Sequence, residues 1–171
     1  MTAIQVNENE YAPFYKIYIE AVGIVNLFDV LESSLYELLK TVDNLSEEAL
    51  NYQYEDDKWT IKDILQHLID TERIMCYRAL RFSRNDATEL PGYDESWYVD
   101  HSNGNDRNLV DLLNELKLVR LSSIALFKSF TEEMFTLSGI ANDADITVRA
   151  LCFIIPGHQL HHLKIIKERY L

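Results

Sequence analysis

Apolar residues return every three or four positions through most of this chain, and polar breaks divide the pattern into four long segments. The first runs from Phe14 to about Val42, with Ile17, Val22, Val25, Phe28, Leu31, Leu35, Leu38 and Leu39 at helical spacing. It predicts one long helix with a weak point at Gly23. Ser46-Glu47-Glu48 opens a short helical turn, and Tyr52 to Lys58 reads as an irregular connection. Thr60 is placed to cap the second helix, and Asp63 to answer it in a capping box. That helix carries Ile61, Ile64, Leu65, Leu68, Met75, Ala79 and Phe82 and ends near Ser83. The third runs from about Leu109 to Phe130, the fourth from a Thr147 cap to Arg169. Four amphipathic helices and little else predict an all-α fold, a four-helix bundle.

Between the second and third helices lie roughly two dozen residues, Arg84 to Arg107, with turn signals at Pro91-Gly92 and Asn103-Gly104. Short connections make antiparallel neighbours, whereas a crossover this long can travel the full bundle. Helices two and three are therefore expected to lie parallel, in up-down-down-up order. Tyr93, Trp97 and Tyr98 set the crossover apart from a disordered linker. It is read as an ordered cover over one end of the bundle. The whole chain, residues 1–171, is expected to form a single domain.

Composition narrows the partners. A net charge of −12 with no basic stripe argues against nucleic acid. No apolar run approaches the roughly 20 residues that a membrane span needs, and Met1–Gln5 lacks the features of a signal peptide. Cys76 and Cys152 both fall in apolar helical segments, as buried reduced thiols do. The expectation is a cytoplasmic protein with a small-molecule partner, and a homodimer is left open.

The chemistry concentrates in Gly157-His158-Gln159-Leu160-His161-His162. His158 and His162 are one helical turn apart on one face, a spacing that lets two imidazoles share a divalent metal. Gln159 stands where a metalloprotease helix has its general base, so protease chemistry of that type is excluded. His161 is turned about 100° from His162. The alternative pair His158/His161 stays open. A third ligand must come from elsewhere: His67 on helix two, or His101 in the crossover. His67 falls at the edge of its apolar stripe, where the ordinary reading is a partly exposed or hydrogen-bonded histidine. His101 lies among Asp100, Ser102, Asn103 and Gly104 and is assigned to the surface. Glu72 sits mid-stripe, which calls for a buried partner such as an Arg or Tyr. From these residues alone, a metal site and a merely hydrogen-bonded histidine cluster are both open.

The segment Lys58-Trp59-Thr60-Ile61-Lys62-Asp63-Ile64-Leu65-Gln66-His67 and its continuation to Arg73 resembles the helix-two signature of the DinB/YfiT-like superfamily. Pro91-Gly92-Tyr93-Asp94, the closing histidine segment and Glu168-Arg169-Tyr170 are similar to it as well. That resemblance implies the same bundle order. It also implies a divalent metal, nickel or zinc, held by His67, His158 and His162 with an open coordination position. Members include thiol S-transferases that use bacillithiol or mycothiol, a thiol-dependent maleylpyruvate isomerase, and proteins labelled metal-dependent hydrolases. The resemblance thus implies a metal-dependent enzyme, a thiol S-transferase or hydrolase acting on a small molecule, with a low-molecular-weight thiol as cosubstrate in the first case. The alternative is a non-catalytic, stress-related bundle that binds a metal or small ligand. Tyr93 and Trp97 are expected to wall the substrate pocket. Pro156, just before the first ligand, is expected to kink the fourth helix.

Overall fold

Each long helix starts where a short polar side chain can take up a free backbone N–H. In the computed structural model, which describes residues 5–171, α2 (Leu27–Val42) opens on Asn26, α4 (Ile61–Ser83) on Thr60, α6 (Leu109–Lys128) on Asn108 and α8 (Val148–Arg169) on Thr147. All four caps have extended backbone and accept a hydrogen bond from the first turn. At α4 the capping box is complete: Asp63 N–H donates to Thr60 Oγ1 at 3.1 Å, and Thr60 N–H donates to Asp63 Oδ2 at 3.0 Å. The Met1–Gln5 stretch read for leader features lies, Gln5 excepted, outside the described residues.

Two apolar clusters fix the helix directions. One joins Leu27 and Leu31 of α2, Met75 and Phe82 of α4, Ile124 and Phe127 of α6, and Leu151 and Ile155 of α8. The other joins Leu38 and Val42, Ile61 and Leu65, Leu112 and Leu116, and Leu163 and Ile166. The start of α2 thus shares a level with the ends of α4 and α6 and with the start of α8. That is the up-down-down-up bundle, with the crossover running the length of the molecule. Burying each of these large side chains stabilises the fold by about 1.5–3 kcal/mol, so the pairing of levels is set mainly by the core.

The expected single first helix is in fact two. Residues Lys16–Val22 form α1, and the chain turns at Gly23, with φ of 71°, before Asn26 caps α2. A left-handed residue cannot continue a helix, and Gly adopts that conformation without the Cβ penalty. The break frees α1 to lie against α8.

The sequence pattern also missed a hairpin. After a short helix α7 (Glu132–Thr136), β1 (Ser138–Ala141) pairs antiparallel with β2 (Ala144–Thr147) through Asn142-Asp143. Both turn residues have positive φ, 55° and 59°, as a two-residue turn of the I′ kind requires. The crossover is ordered. It contains α5 (Glu95–Asp100) and a 3-10 turn at Gly104–Asp106, and Leu90 pairs with the hairpin through Ile140 and Asn142. The short turn predicted at Ser46 is α3 (Glu47–Leu50). Pro156 does not end α8, which stays helical from Val148 to Arg169. Among the described residues no helix is long and apolar enough to cross a membrane.

Candidate metal centre

Helices α4 and α8 run antiparallel, so the second turn of α4 faces the later half of α8. There three imidazoles converge. His67 Nε2 lies 2.9 Å from His158 Nε2, which lies 3.0 Å from His162 Nε2, and one nitrogen from each ring falls within 4.8 Å of the others. On α8, geometry separates the two candidate pairs. His158 and His162 share the cluster, while His161 is turned aside and only half-buried, its ring 5.5 Å from that of Tyr18. His101 is exposed and stacks on Trp97 at 3.6 Å.

His67 departs from its expected place at a partly exposed stripe edge: it is 3% exposed, and His158 is 5% exposed. The edge is closed from outside α4. The Trp59 ring lies 4.7 Å from His67 and stacks nearly parallel to His162 at 6.2 Å. Trp59 is itself pinned by its carbonyl, which accepts a hydrogen bond from the Tyr170 hydroxyl at the end of α8.

Burial sets the protonation of the cluster. It pushes His67 down to about 4 and His162 down to about 3, and it holds His158 well below its ordinary value. The neighbouring histidines add to the shift at His158 and His162. All three are neutral near pH 7. A neutral imidazole has one N–H and one lone pair, so the tautomer decides which faces inward. His67 Nδ1 is 3.4 Å from Thr71 Oγ1, which is 2.7 Å from the Tyr93 hydroxyl. Placing the proton on Nδ1, toward Thr71, leaves the Nε2 lone pair for the cluster. Burial raises the Tyr93 phenol, which keeps its proton as a fixed hydrogen-bonding group.

His158 Nε2 faces two other ring nitrogens, and one proton cannot serve both contacts. Three inward lone pairs are instead the donor set of a borderline divalent cation such as zinc or nickel. The residues present fit such an ion, and three protein donors leave coordination positions for another molecule.

Access to the cluster is beside His162. A cavity of about 250 Å³ is lined there by Tyr54, Trp59, Ser96, Ile165, Tyr170 and His162. Asp57, Lys58, Trp59 and Ser96 also line an adjoining polar cavity of about 500 Å³. The crossover thus reaches this space through Ser96. Tyr93 sits behind His67 through Thr71, and Trp97 is 59% exposed, stacked on His101. Trp59 had a signal, its position just before the α4 cap, but nothing in the sequence fixed its ring over the histidines.

Glu72 has the buried partner its position demanded. Arg120 donates to both carboxylate oxygens at 2.9 Å, and Ser123 donates at 2.7 Å. Arg120 also donates to Leu31 O and to Gln159 Oε1, which ties α2 and α8 into the same network. This pairing makes Glu72 a structural acid. The thiols are equally inert: burial pushes Cys76 up to about 12 and Cys152 well above its ordinary value.

Comparison with known proteins agrees with the fold. A family model described as the DinB superfamily matches residues 31–166. A protein of Oceanobacillus iheyensis named "putative metal-dependent hydrolase" is 25% identical over 141 residues, covering 80% of this chain and 79% of that protein. Among solved structures, YfiT from Bacillus subtilis is described as a probable metal-dependent hydrolase with an unusual four-helix bundle topology. It is similar with a TM-score of 0.74 at 20% identity, over 97% of this chain and 91% of that one, a likeness of fold.

Proposed function

The chain belongs to the DinB superfamily, and from that premise we propose that it is a metal-dependent hydrolase of a small molecule. His67, His158 and His162 would hold the ion, with zinc and nickel the best matches to neutral imidazole. The observation that carries this reading is the convergence of three neutral ring nitrogens within 4.8 Å, with His67 and His158 buried and His162 half-buried. A divalent ion bound there supplies Lewis acidity. The chain's own residues do the rest. Thr71 and Tyr93 orient His67, Trp59 excludes water from one side of the cluster, and the cavity beside His162 admits a compact substrate. Ser96 and Trp59 form its walls, and Trp97 follows Ser96 directly in the crossover, with Tyr93 three residues before Ser96.

Thiol transfer at the same site is the second reading, favoured because the superfamily that the α4 and α8 segments resemble includes thiol-using members. The inertness of Cys76 and Cys152 specifies its form: the reacting thiol must be a low-molecular-weight cosubstrate. Both readings suit a cytoplasmic protein with reduced cysteines.

Cobalt-substituted protein separates them. On the hydrolase reading it cleaves activated esters or amides without added thiol, and His67→Ala abolishes the rate. A thiolate-to-cobalt charge-transfer band with thiol-dependent consumption of an electrophile would transfer the assignment to the second reading. A thiol band without turnover of either substrate type would leave a binding protein.

A further inference from the structure

The outer face of α6 is more apolar than a solvated bundle face needs to be. Leu118 and Leu121 are 67% and 61% exposed. Single exposed leucines are ordinary, but these two belong to a pattern. Asp111, Asn114, Leu118, Leu121, Ala125 and Lys128 succeed one another at alternating steps of three and four, and all six are exposed. That is the a/d seam of a coiled coil, lying on the side of α6 turned away from the bundle core. Its two ends carry opposite charges, its centre is leucine, and the intervening positions are small or neutral.

Turned end for end, this seam complements itself. A two-fold axis between Leu118 and Leu121 sets Leu118 against Leu121 of a second copy and Asn114 against Ala125. It also sets Asp111 against Lys128, so an a position meets a d position at every level, as antiparallel helices require. A parallel pairing would instead oppose like charges at both ends. Lys128 is held near its end of the seam by the Phe28 ring, 5.5 Å from its ammonium. A groove of about 580 Å³ between α4 and α6, which includes Asp111, Asn114 and Leu118 in its lining, runs beside the seam with room for a partner's side chains. We propose that α6 docks antiparallel on α6 of a second copy of this chain. The apolar centre is short and each chain carries a net charge of −12, so the association is weak and strengthens with concentration.

Sedimentation velocity on the full chain tests this, with circular dichroism confirming that each variant stays helical. The wild type should pass from monomer toward dimer between about 10 µM and 1 mM. Leu118→Glu, Asp111→Lys and Lys128→Asp should each weaken the dimer at least about tenfold. The double variant Asp111→Lys, Lys128→Asp should restore it to within about threefold of wild type, since the charges again face their opposites. A wild type that stays monomeric throughout overturns the proposal, including one that binds some other protein through this face. A dimer indifferent to Leu118→Glu overturns it too, as does a folded double variant no better than the single ones.

Discussion

Gly157 of α8 lies directly against the backbone of Tyr18 on α1, and a Cβ added there would collide with the Tyr18 carbonyl oxygen. Space is the constraint, since Gly157 is within a continuous helix and its φ is not positive. This close approach seats the Tyr18 ring edge-on against His158, 5.1 Å between centroids. One missing side chain therefore sets both the α1–α8 packing and one wall of the histidine cluster.

Replacing Gly157 by Ala should force α1 away from α8 at a cost of about 1–3 kcal/mol, the range for overpacking a close contact. Chemical denaturation would measure that loss. Weakened metal binding should accompany it, because Tyr18 would no longer abut His158.

Arg120 and Glu72 are 1% and 3% exposed, so removing either one strands the other's charge. Arg120→Met should destabilise the protein by about 3–5 kcal/mol, whereas Arg120→Met with Glu72→Leu should recover much of that loss. Urea titrations of the three proteins give the comparison. Equal destabilisation in the single and double variants would show that the pair itself, and not the stranded carboxylate, carries the energy.

Much of this architecture is legible in the sequence, and the remainder has physical causes. Caps at Thr60 and Thr147 and the turn residues of the crossover mark the helices because they act within a few positions of themselves. Glu72 in the middle of an apolar stripe announces a buried partner, though only the fold shows it to be Arg120. The Gly23 break was visible as a weak residue, but whether a helix restarts depends on Asn26 and on what α1 can pack against. The hairpin turn escaped notice because Asn142-Asp143 lacks the glycine that usually marks two left-handed residues in succession. At the site, spacing related His158 to His162. The burial of His67 and the ring of Trp59 over it come from packing between distant segments, which no local pattern encodes.

Thr71→Val should leave the helix intact while removing the hydroxyl that joins His67 Nδ1 to Tyr93. On the metal reading, affinity should fall about 10–100-fold, the usual effect of losing an outer-shell partner of a ligating histidine. Tyr93→Phe should have a smaller effect in the same direction. Competition with a chromophoric chelator reads both, and unchanged affinity in Thr71→Val would remove Thr71 from the site.

The depressed histidines predict how the metal-free protein responds to acid. In the unfolded chain these groups take up protons near pH 6.5, whereas in the fold His67 waits until about 4 and His162 until about 3. Between those values the unfolded state binds more protons, so stability rises with pH. It is fully present above about 6.5 and lost as pH falls toward 4, at about 1.4 kcal/mol per pH unit for each proton refused. Thermal melts of metal-free protein from pH 7 to pH 4 should show this decline, and His67→Gln should flatten it.

His67, His158 and His162 are expected to form one metal site. Elemental analysis of untagged protein, after dialysis against and recovery from excess zinc or nickel, tests it most directly. About one tightly held divalent ion per chain is expected, as three converging neutral imidazoles should retain. His158→Ala with His162→Ala should lose that ion. Wild-type protein that emerges without metal, or a double variant that keeps it, would show that these histidines are not a metal site.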